Sequence, residues 1–480
     1  MAHAFTGRTA AFTIGTEEMG MERFFYPASI AVAGASRTAG KAGNTVIRNI
    51  LEFGFAGPVY PINPGASEIL GLRAYPSLSA LDVVPDLVIG VLPRSMAEGL
   101  MADCGRVGVK NVIVPAAGFS DAGGEGRLLE HRLMSTARAA GITVMGPNSI
   151  GTVCPGGGLA TSIVTLDRMR GGNVSLFGQT GMFSSGIARW IETEEHFGVA
   201  KIACLGNKAG VDETDLLEYL GSDRESRVIG VYTEGVRDGR GFARALERVA
   251  REKPVLILKS GRTDTGVKAI SSHTGAMAGS DAVFAGMVEQ AGAIRVGDFE
   301  EMFDLAKALD FCPLPAGRGL GVVSITGLGC VLSADAADAA GLELPEPAAA
   351  TLAGMREAVP GWAPVGNPAD IWAAIESCGA EKGYLYVARA LVDDPAVHSL
   401  IAIFTLIPES RMDEVSLFAS LRERQPGKPV AAVLMAGDAV MRSEWKRELE
   451  TAGIPTYPSP ERAVRAIAAM WRYASRLKGR

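Results

Sequence analysis

The sequence has few of the residues that build zinc sites and disulfide frameworks. Its 480 residues include six cysteines, scattered without a CxxC pair, and only five histidines. Such spacing predicts neither a zinc site nor a set of disulfides, and it suits the reducing cytoplasm. We therefore expect a cytoplasmic protein that holds no metal through its own side chains.

The sequence also lacks an excess of positive charge and long apolar runs. A formal net charge of −6 and a pI near 5.6 argue against a surface for nucleic acid or anionic lipid. No apolar run approaches the roughly 18 residues that span a bilayer. Residues 1–22 also lack the basic and apolar regions of a signal peptide and are interpreted as a leader. The expected partners are small molecules and other proteins.

What the sequence does contain is a repeated alternation of short Val- and Ile-rich runs with helical stretches. Such runs are typical of strands buried on both faces, and helices between them indicate parallel sheets. A chain of 480 residues is too long for one hydrophobic core. The sequence therefore predicts an α/β protein with a leader and three domains, at residues 23–152, 153–312 and 317–476.

The second and third domains read as divergent copies of each other. "KPVLILKSG" corresponds to "KPVAAVLMAG", and "AGAIRVGDFEEMFDLAKAL" corresponds to "AGIPTYPSPERAVRAIAAM". The interval between these markers spans 38 positions from Lys253 to Ala291 but 24 in the third domain, so the second is about 14 residues longer. The excess falls in or beside "KSGRTDTGVKAISSHTGAMAGSD", interpreted as a long loop, and such loops are often functional.

A glycine-rich turn in the first domain indicates phosphate binding. "AVAGASRTAGKAG", with Gly34, Ser36 and Lys41, lies between a strand and a helix, where backbone N–H groups can hold phosphate. The next strand ends in Asn63 and Pro64, where a dinucleotide-binding domain would place an acidic residue for the ribose. The motif therefore favours a phosphorylated nucleotide that needs no carboxylate for its ribose, and it argues against NAD. The alternative is an ordinary βα turn with an incidental lysine.

A second strand–turn–helix pattern opens the second domain. Gln179, Thr180 and Gly181 follow the strand in "SLFGQTGMFSSGIARW". Unpaired amide hydrogens at the start of a helix make an anion site. The alternative is an ordinary N-cap by Thr180.

His273 is the histidine best placed for chemistry. A neutral imidazole can act as a nucleophile when an acceptor fixes its tautomer, and a carboxylate is the usual acceptor. Glu234 follows the buried strand in "RVIGVYTEG", and neighbouring strand ends of a parallel sheet meet at one edge. We therefore predict that Glu234 holds His273. The alternative is a solvated loop histidine and a carboxylate at a helix start.

With these residues in view, the chain resembles the α subunit of NDP-forming (ADP-forming) acyl-CoA synthetases, in the succinyl-CoA synthetase superfamily. The likeness covers nearly everything after about residue 22 and rests on an ordered series of motifs: "GASRTAGKAG", "PINP", "GPNSIG", "GNVSLFGQTG", "LGNKAGVDETDLLEYL", "VYTEGVRDGRGF" and "KSGRTDTGVKAISSHTGAMAGSD". The resemblance implies a Rossmann-like CoA-binding domain followed by two flavodoxin-like ligase domains. It also implies that His273 is transiently phosphorylated and that Glu234 holds the phosphohistidine.

The resemblance assigns two further groups of residues. The implied phosphate-binding residues are Gln179, Thr180, Gly181, Thr274 and Gly275. The implied CoA-binding residues are Gly34, Ser36, Lys41, Asn63, Pro64, Pro93 and Asn148. The chain departs from the family pattern at Gly65, where the family has a lysine, at Thr180, where serine is common, and at "ITGLGC" in the third domain.

The implied reaction joins a small carboxylic acid to CoA through an acyl phosphate. The sequence has no glycine-rich nucleotide loop of the ATP-grasp kind, so ATP/ADP and Mg are expected on a separate ATP-grasp β subunit in an α2β2 assembly. The alternatives are an NAD-dependent oxidoreductase and a non-catalytic CoA-binding regulatory subunit. The sequence leaves the identity of the acid and the choice between ADP and GDP open.

Overall fold

The chain folds into two compact units. The computed structural model describes residues 20–273, 280–412 and 414–479. The first unit comprises Met1–Asp167 and Ala203–Ser222, and the second comprises Arg168–Ile202 and Asp223–Arg480. Residues 1–19 lie outside the described residues, so the interpretation of a leader stays a prediction, as do the domain bounds.

The first unit contains a parallel sheet with helices between its strands. Its elements up to residue 160 are β1 (Ile30–Ala33), α1 (Ala42–Phe53), β2 (Val59–Ile62), β3 (Glu68–Ile69), β4 (Leu72–Arg73), β5 (Leu87–Gly90), α2 (Arg94–Val107), β6 (Asn111–Ile113), α3 (Gly124–Ala139), β7 (Thr143–Met145), β8 (Gly151–Cys154) and β9 (Leu159–Ala160). The sheet is parallel, in the order β2-β1-β5-β6-β7. β3 pairs with β4, and β8 with β9, in antiparallel hairpins.

A second parallel sheet carries the residues expected to do chemistry. The elements that follow β9 are β10 (Gly171–Gly178), α4 (Ala188–Trp190), β11 (Val199–Cys204), α5 (Glu213–Ser222), β12 (Val228–Thr233), α6 (Gly239–Ala250), β13 (Val255–Lys259), α7 (Asp264–His273), α8 (Asp281–Ala291), β14 (Ile294–Val296) and α9 (Phe299–Phe311). Within the second unit, the strands of this sheet follow the order β14-β13-β12-β10-β11. The pairs from β10 through β12 and β13 to β14 are parallel.

The third sheet repeats the second. Its elements are β15 (Leu320–Ser324), α10 (Gly327–Ala340), α11 (Ala349–Met355), β16 (Ala369–Asp370), α12 (Trp372–Cys378), α13 (Ala380–Asp393), β17 (Ser399–Leu406), α14 (Ala419–Arg424), β18 (Val430–Gly437), α15 (Ala439–Thr451), β19 (Thr456–Tyr457) and α16 (Pro460–Lys478). Its strands are parallel, in the order β16-β15-β17-β18-β19. The two sheets are therefore copies of one topology, as their sequence similarity indicates.

All three parallel sheets share one winding. Numbered along the chain within each sheet, the strands lie in the order 2-1-3-4-5, which is the flavodoxin-like order. The strand order reverses between the first and third strands, and ligands bind outside the carboxyl ends of the strands at that point. The α/β fold class is confirmed. The three reversal points are at β1 and β5, at β10 and β12, and at β15 and β17.

Burial explains why the strands have Val- and Ile-rich sequences. Every residue of β1, β5 and β13 is buried, so these strands carry no alternation of polar and apolar side chains. Helices cover both faces, which is the usual environment of a parallel sheet. Among the described residues, no helix is both long and apolar enough to cross a bilayer.

The segment after β13 differs from the expected long loop, because it contains the helix α7. Val267 and Ile270 lie three residues apart on one face of this helix, and Ile270 is buried. Asp264 in the first turn favours the helix start. Gly, Ser and Thr residues gave the sequence a loop-like composition, and this short apolar stripe overrode it. The third sheet runs from β18 directly to α15 and has no counterpart of α7.

Candidate functional site

The reversal point of the second sheet brings two predicted site residues together. Gln179 is the first residue after β10, and Glu234 is the first after β12. These strands are parallel neighbours, with Gly178 beside Tyr232 in the ladder. The carboxyl ends of both strands therefore place Gln179 and Glu234 at one edge of the sheet.

The carboxamide of Gln179 connects the two strand ends. Its Oε1 accepts hydrogen bonds from the backbone N–H of Glu234 at 2.9 Å and of Gly235 at 3.4 Å. The hydroxyl of Thr233 donates to the same oxygen at 3.2 Å. Sequence reasoning selected Gln179 for its place at a helix start but missed this use of its side chain. The residue fixes the backbone that carries the Glu234 carboxylate.

Glu234 is only 7% exposed and lies beside one end of an aromatic cluster. The hydroxyl of Tyr232 donates to Glu234 Oε1 at 3.4 Å. The Tyr232 ring stacks on Phe299 with centroids 5.8 Å apart, and Phe299 meets Phe183 edge to face at 5.8 Å. Burial, together with the Glu234 carboxylate, raises the pKa of Tyr232, so its hydroxyl stays a hydrogen-bond donor.

A buried lysine, which sequence reasoning did not select, lies at the same edge. Lys259 ends β13, pairs with Thr233 in the ladder and is 2% exposed. Its Nζ donates to the carbonyl oxygen of Ser260 at 2.7 Å and to that of Glu234 at 3.4 Å. Burial lowers the pKa of Lys259, and the carboxylates of Asp281 and Glu234 partly oppose that effect. Its only signal in the sequence is a charge at the end of an apolar run.

The turn after β10 is wider than an ordinary helix start. The hydroxyl of Thr180 accepts a hydrogen bond from the N–H of Met182 at 3.2 Å. Phe183–Ile187 is π-helical, and the N–H of Ile187 donates to the carbonyl of Met182 at 2.8 Å. The predicted strand–turn–helix pattern is present, with π-helical geometry that is frequent at functional sites.

His273 is the last residue of α7. Its side chain lies outside the described residues, as do Thr274 and Gly275. The pairing of His273 with Glu234 therefore stays a prediction. In the described part of the chain, no group of three or more His, Cys, Asp or Glu residues is placed to hold a metal ion.

The first sheet brings part of the predicted CoA site together at its own reversal point. Gly34 follows β1 and has a φ of 85°. A Cβ atom on Gly34 would lie 2.0 Å from the carbonyl oxygen of Val91, which follows β5. Only glycine fits this close approach between the two strand ends. No side chain therefore projects from this position of the turn after β1, which leaves room for a ligand to approach its backbone.

Asn63 shapes this turn with both ends of its amide. Its Nδ2 donates to the carbonyl of Ala35 at 2.7 Å, and its Oδ1 accepts from the N–H of Gly65 at 2.7 Å. The carbonyl of Ser36 accepts from Nδ2 of Asn44 at 2.9 Å. Asn63 and Ser36 thus lie in one hydrogen-bonded edge formed by the ends of β1 and β2.

The remaining candidates of this edge are exposed. They are Lys41, Pro64 and Pro93. Lys41 and Pro93 occupy the N-cap positions of α1 and α2. Arg37 and Arg94 add cations that sequence reasoning missed, and Arg94 donates to the carbonyl of Gly118 at 2.7 Å. The edge therefore combines open helix starts with positive charge, which suits phosphate groups.

Asn148 lies farther along the same sheet, after β7 and with β6 between it and β5. It has a φ of 60°, and its Nδ2 donates to Oδ1 of Asn207 at 3.3 Å. Asn207 donates in turn to Asp121 at 2.8 Å and to Glu130 at 3.0 Å. Burial would raise the pKa of Asp121, but hydrogen bonds from Asn207 and from the backbone N–H groups of Gly118 and Phe119 hold it below its ordinary value. Asn148 thus belongs to a polar network separate from the Gly34 turn.

Two domain families match the chain. The family described as "CoA binding domain" matches residues 28–155. The family described as "Succinyl-CoA ligase like flavodoxin domain" matches residues 171–309. The first match covers the sheet with the Gly34 turn, and the second covers the sheet with Gln179, Glu234 and Lys259.

Full-length relatives extend the likeness to the third sheet. The chain is 34% identical to the α subunit of acetate–CoA ligase [ADP-forming] II of Pyrococcus furiosus, over 96% of this chain and 99% of that subunit. It is 38% identical to acetate–CoA ligase [ADP-forming] II of Archaeoglobus fulgidus, over 94% of this chain but 67% of that protein. A solved structure with a similar fold is the dinucleotide-forming acetyl-coenzyme A synthetase 1 of Ca. Korarchaeum cryptofilum, in complex with phosphate and ADP. It superimposes with a TM-score of 0.87 over 95% of this chain and 97% of that chain, and the sequences are 32% identical.

Proposed function

Because this chain belongs to the family of ADP-forming acyl-CoA synthetases, in which it corresponds to the α subunit, we propose that it joins a small carboxylic acid to CoA through an acyl phosphate. The observation that carries the proposal is the reversal point of the second sheet. There, Gln179 connects the ends of β10 and β12, and the buried Lys259 donates to the backbone carbonyl of Glu234. Acetate is the first acid to test, since the relatives are named for it.

The reaction divides into three group transfers. In the first, an imidazole nitrogen of His273 attacks the terminal phosphoryl group of ATP, an N–P bond forms and ADP leaves. In the second, a carboxylate oxygen of the acid attacks that phosphorus, and the N–P bond breaks to give the acyl phosphate and free histidine. In the third, the CoA sulfur attacks the acyl carbon, the C–O bond to phosphate breaks, and inorganic phosphate leaves with the thiol proton.

The first and second sheets have different roles in this scheme, each at the edge formed by the carboxyl ends of its strands. Glu234 orients the His273 imidazole and stabilises its positive charge. Gln179, Thr180 and Gly181 bind the phosphoryl group at the wide turn after β10, together with Thr274 and Gly275. Gly34, Ser36, Lys41, Asn63, Pro64, Pro93 and Asn148 bind CoA at the edge of the first sheet. The domain bounds 23–152, 153–312 and 317–476 fit this division.

The partner in this proposal is an ATP-grasp β subunit that binds ATP/ADP with Mg, in an α2β2 assembly. It is supported by the name of the Pyrococcus furiosus relative, which is one subunit of its enzyme. An NAD-dependent oxidoreductase and a non-catalytic CoA-binding subunit are less well supported, because the relatives are named as ligases.

Reversal of the reaction tests the role of His273. The full chain, alone and with its partner subunit, is incubated with acetyl-CoA and radiolabelled phosphate, which should return label to the imidazole. The expected label is stable in base, labile in acid and released by ADP when the partner is present. His273→Ala should carry no label and form no acetyl-CoA in the forward direction.

Two controls make the outcome decisive. Glu234→Gln should fold normally but accumulate less label, since a neutral amide stabilises imidazolium charge less well than a carboxylate. His131→Ala removes an exposed histidine of α3 and should leave labelling unchanged. Label that persists in His273→Ala would overturn the assignment.

A further inference from the structure

A buried lysine, Lys259, borders the Glu234 loop and forms no ion pair with a carboxylate among the described residues. Lysine is rarely buried unless a carboxylate pairs with it. Lys201 of β11 follows that rule, since its Nζ contacts Asp223 at 2.7 Å and Glu225 at 2.8 Å. Within the described part of the chain, the hydrogen bonds of Lys259 end instead on two backbone carbonyls, those of Ser260 and Glu234.

The two carbonyls belong to two different loops. That of Glu234 belongs to the loop after β12, and that of Ser260 to the turn that leads from β13 into α7. A single ammonium group therefore links the loop that carries the carboxylate to the segment that ends in His273. The Phe284 ring of α8, with its centroid 5.7 Å from Nζ, also contacts the charge.

The sister sheet shows that the fold does not need a lysine at this position. In the second sheet, Lys259 pairs with Thr233, four residues after Val255 of the shared Lys-Pro-Val start. In the third sheet, Leu434 pairs with Phe404 at the same distance from Val430. The third sheet also lacks a counterpart of α7. The lysine thus occurs in the copy that carries the extra helix, and a buried leucine stands in the copy without it.

We infer that Lys259 is a positioning residue of the phosphoryl-transfer site. It holds the Glu234 loop and the start of the α7 segment in register, and it adds positive charge to the edge where the phosphoryl group is handled. This inference rests on the proposed function. Lys259 acts through Glu234 and the α7 segment, so its loss should slow phosphoryl transfer more than it weakens CoA binding.

The test replaces Lys259 by methionine, an unbranched, uncharged residue of similar length. Lys259→Met in the full α and partner assembly should lower kcat for acetyl-CoA formation about 10- to 100-fold, because small displacements of reacting groups cost this much. The KM for CoA should change less than about twofold, since the CoA edge belongs to another sheet. Lys259→Arg should recover part of the loss, because it restores donors and charge.

Lys201→Met is the matched control, because it removes an equally buried lysine whose partners lie elsewhere. It should lower the melting temperature and leave kcat of the folded enzyme unchanged. If Lys259→Met loses only as much activity as Lys201→Met, Lys259 is merely structural and the inference is wrong. The proposed function is tested separately: it fails if wild type takes no label, whereas the inference alone fails if His273→Ala is inactive and Lys259→Met is not.

Discussion

At the scale of single residues, the site depends on side chains that hold backbone as much as on those that touch substrate. Gln179 accepts hydrogen bonds from the two N–H groups of Glu234 and Gly235, and Lys259 donates to the carbonyl of Glu234. Side chains at the ends of the two neighbouring strands therefore hold both the backbone N–H and the carbonyl of Glu234. Such support matters because a catalytic carboxylate must keep its direction while charge develops beside it.

Gln179 offers a pair of substitutions that separate support from charge. Gln179→Met removes the accepting oxygen and leaves buried N–H groups unpaired, so unfolding should become easier by about 1–3 kcal/mol. Gln179→Glu keeps the oxygen but adds a negative charge beside Glu234 and the phosphoryl group. We expect Gln179→Glu to remain stable at alkaline and neutral pH and to lose phosphohistidine labelling.

Urea unfolding and labelling of both variants give the answer. Equal labelling in Gln179→Glu and wild type would contradict an anion site at this turn. Unchanged stability of Gln179→Met would show that the three hydrogen bonds to Oε1 contribute little.

At the scale of helices and strands, a buried charge cluster joins the second and third copies. Lys307 of α9 donates to Glu195 at 2.6 Å, to Glu450 of α15 at 3.1 Å and to the carbonyl of Thr456 at 3.2 Å. Lys446 contacts Glu450 at 2.9 Å and Glu195 at 3.5 Å. The charges are balanced, and their desolvation is offset only while every member is present.

The cluster sets a pH window for stability. Burial would raise the pKa of Glu195, but Lys307 and Lys446 hold it below the ordinary 4.5, so its contribution is lost as pH falls through the folded value. Burial would lower the pKa of Lys307, but Glu450 and Glu195 raise it above the ordinary 10.5, so its contribution is lost as pH rises through the folded value. The full contribution is present between these ordinary values.

Replacing one charged residue of the cluster should therefore lower the free energy of unfolding more than replacing several of them together. Lys307→Met leaves two buried carboxylates with the single cation of Lys446 and should destabilise the second unit by about 3–5 kcal/mol at neutral pH. The cost should shrink in mild acid, where the freed carboxylates take up protons. Adding Glu195→Gln and Glu450→Gln to Lys307→Met should restore part of the stability.

Urea denaturation at both pH values measures these differences. Arg251→Met is the control, because its pair with Glu247 is exposed on α6 and contributes at most about 1 kcal/mol. A loss in Lys307→Met no larger than in this control would contradict the role of the cluster.

The elements show what the sequence could and could not predict. The buried parallel strands are predicted correctly, because a strand buried on both faces needs apolar side chains at every position. The second and third domains are recognised as copies because the sequences of their strands correspond. α7 was missed because its glycine, serine and threonine outweighed one short apolar stripe. The hydrogen bond between Gln179 and Glu234 joins residues 55 positions apart, so it depends on a crossover that local sequence does not specify. Lys259 was missed because a charged residue at the end of a strand in the sequence does not show how deeply its side chain is buried.

At the scale of the whole molecule, three sheets of one winding carry different chemistry at their reversal points. The first has the Gly34 turn, the second has Glu234 and Lys259, and the third has Leu434 where the second has a lysine. A shared frame therefore supports distinct sites through the few residues that follow each strand.

CoA should stabilise the first unit selectively. Ligand at 100 times its dissociation constant adds about 2.7 kcal/mol to the free energy of unfolding. Calorimetry of the full chain should show a higher melting temperature with CoA and no shift with NAD. Asn63→Ala should reduce the CoA shift, because the edge formed by the ends of β1 and β2 loses two hydrogen bonds. A larger shift with NAD than with CoA would support the oxidoreductase alternative.

The buried charge cluster also limits where this protein can be dissected for crystallography or for grafting onto other scaffolds. The Pro- and Gly-rich stretch "CPLPAGRG" looks like a natural cutting place. A fragment ending there would keep Lys307 and lose Glu450 and Lys446, and the severed face would present an ammonium group and apolar helix surface to water. Expression trials should therefore retain both copies as one piece.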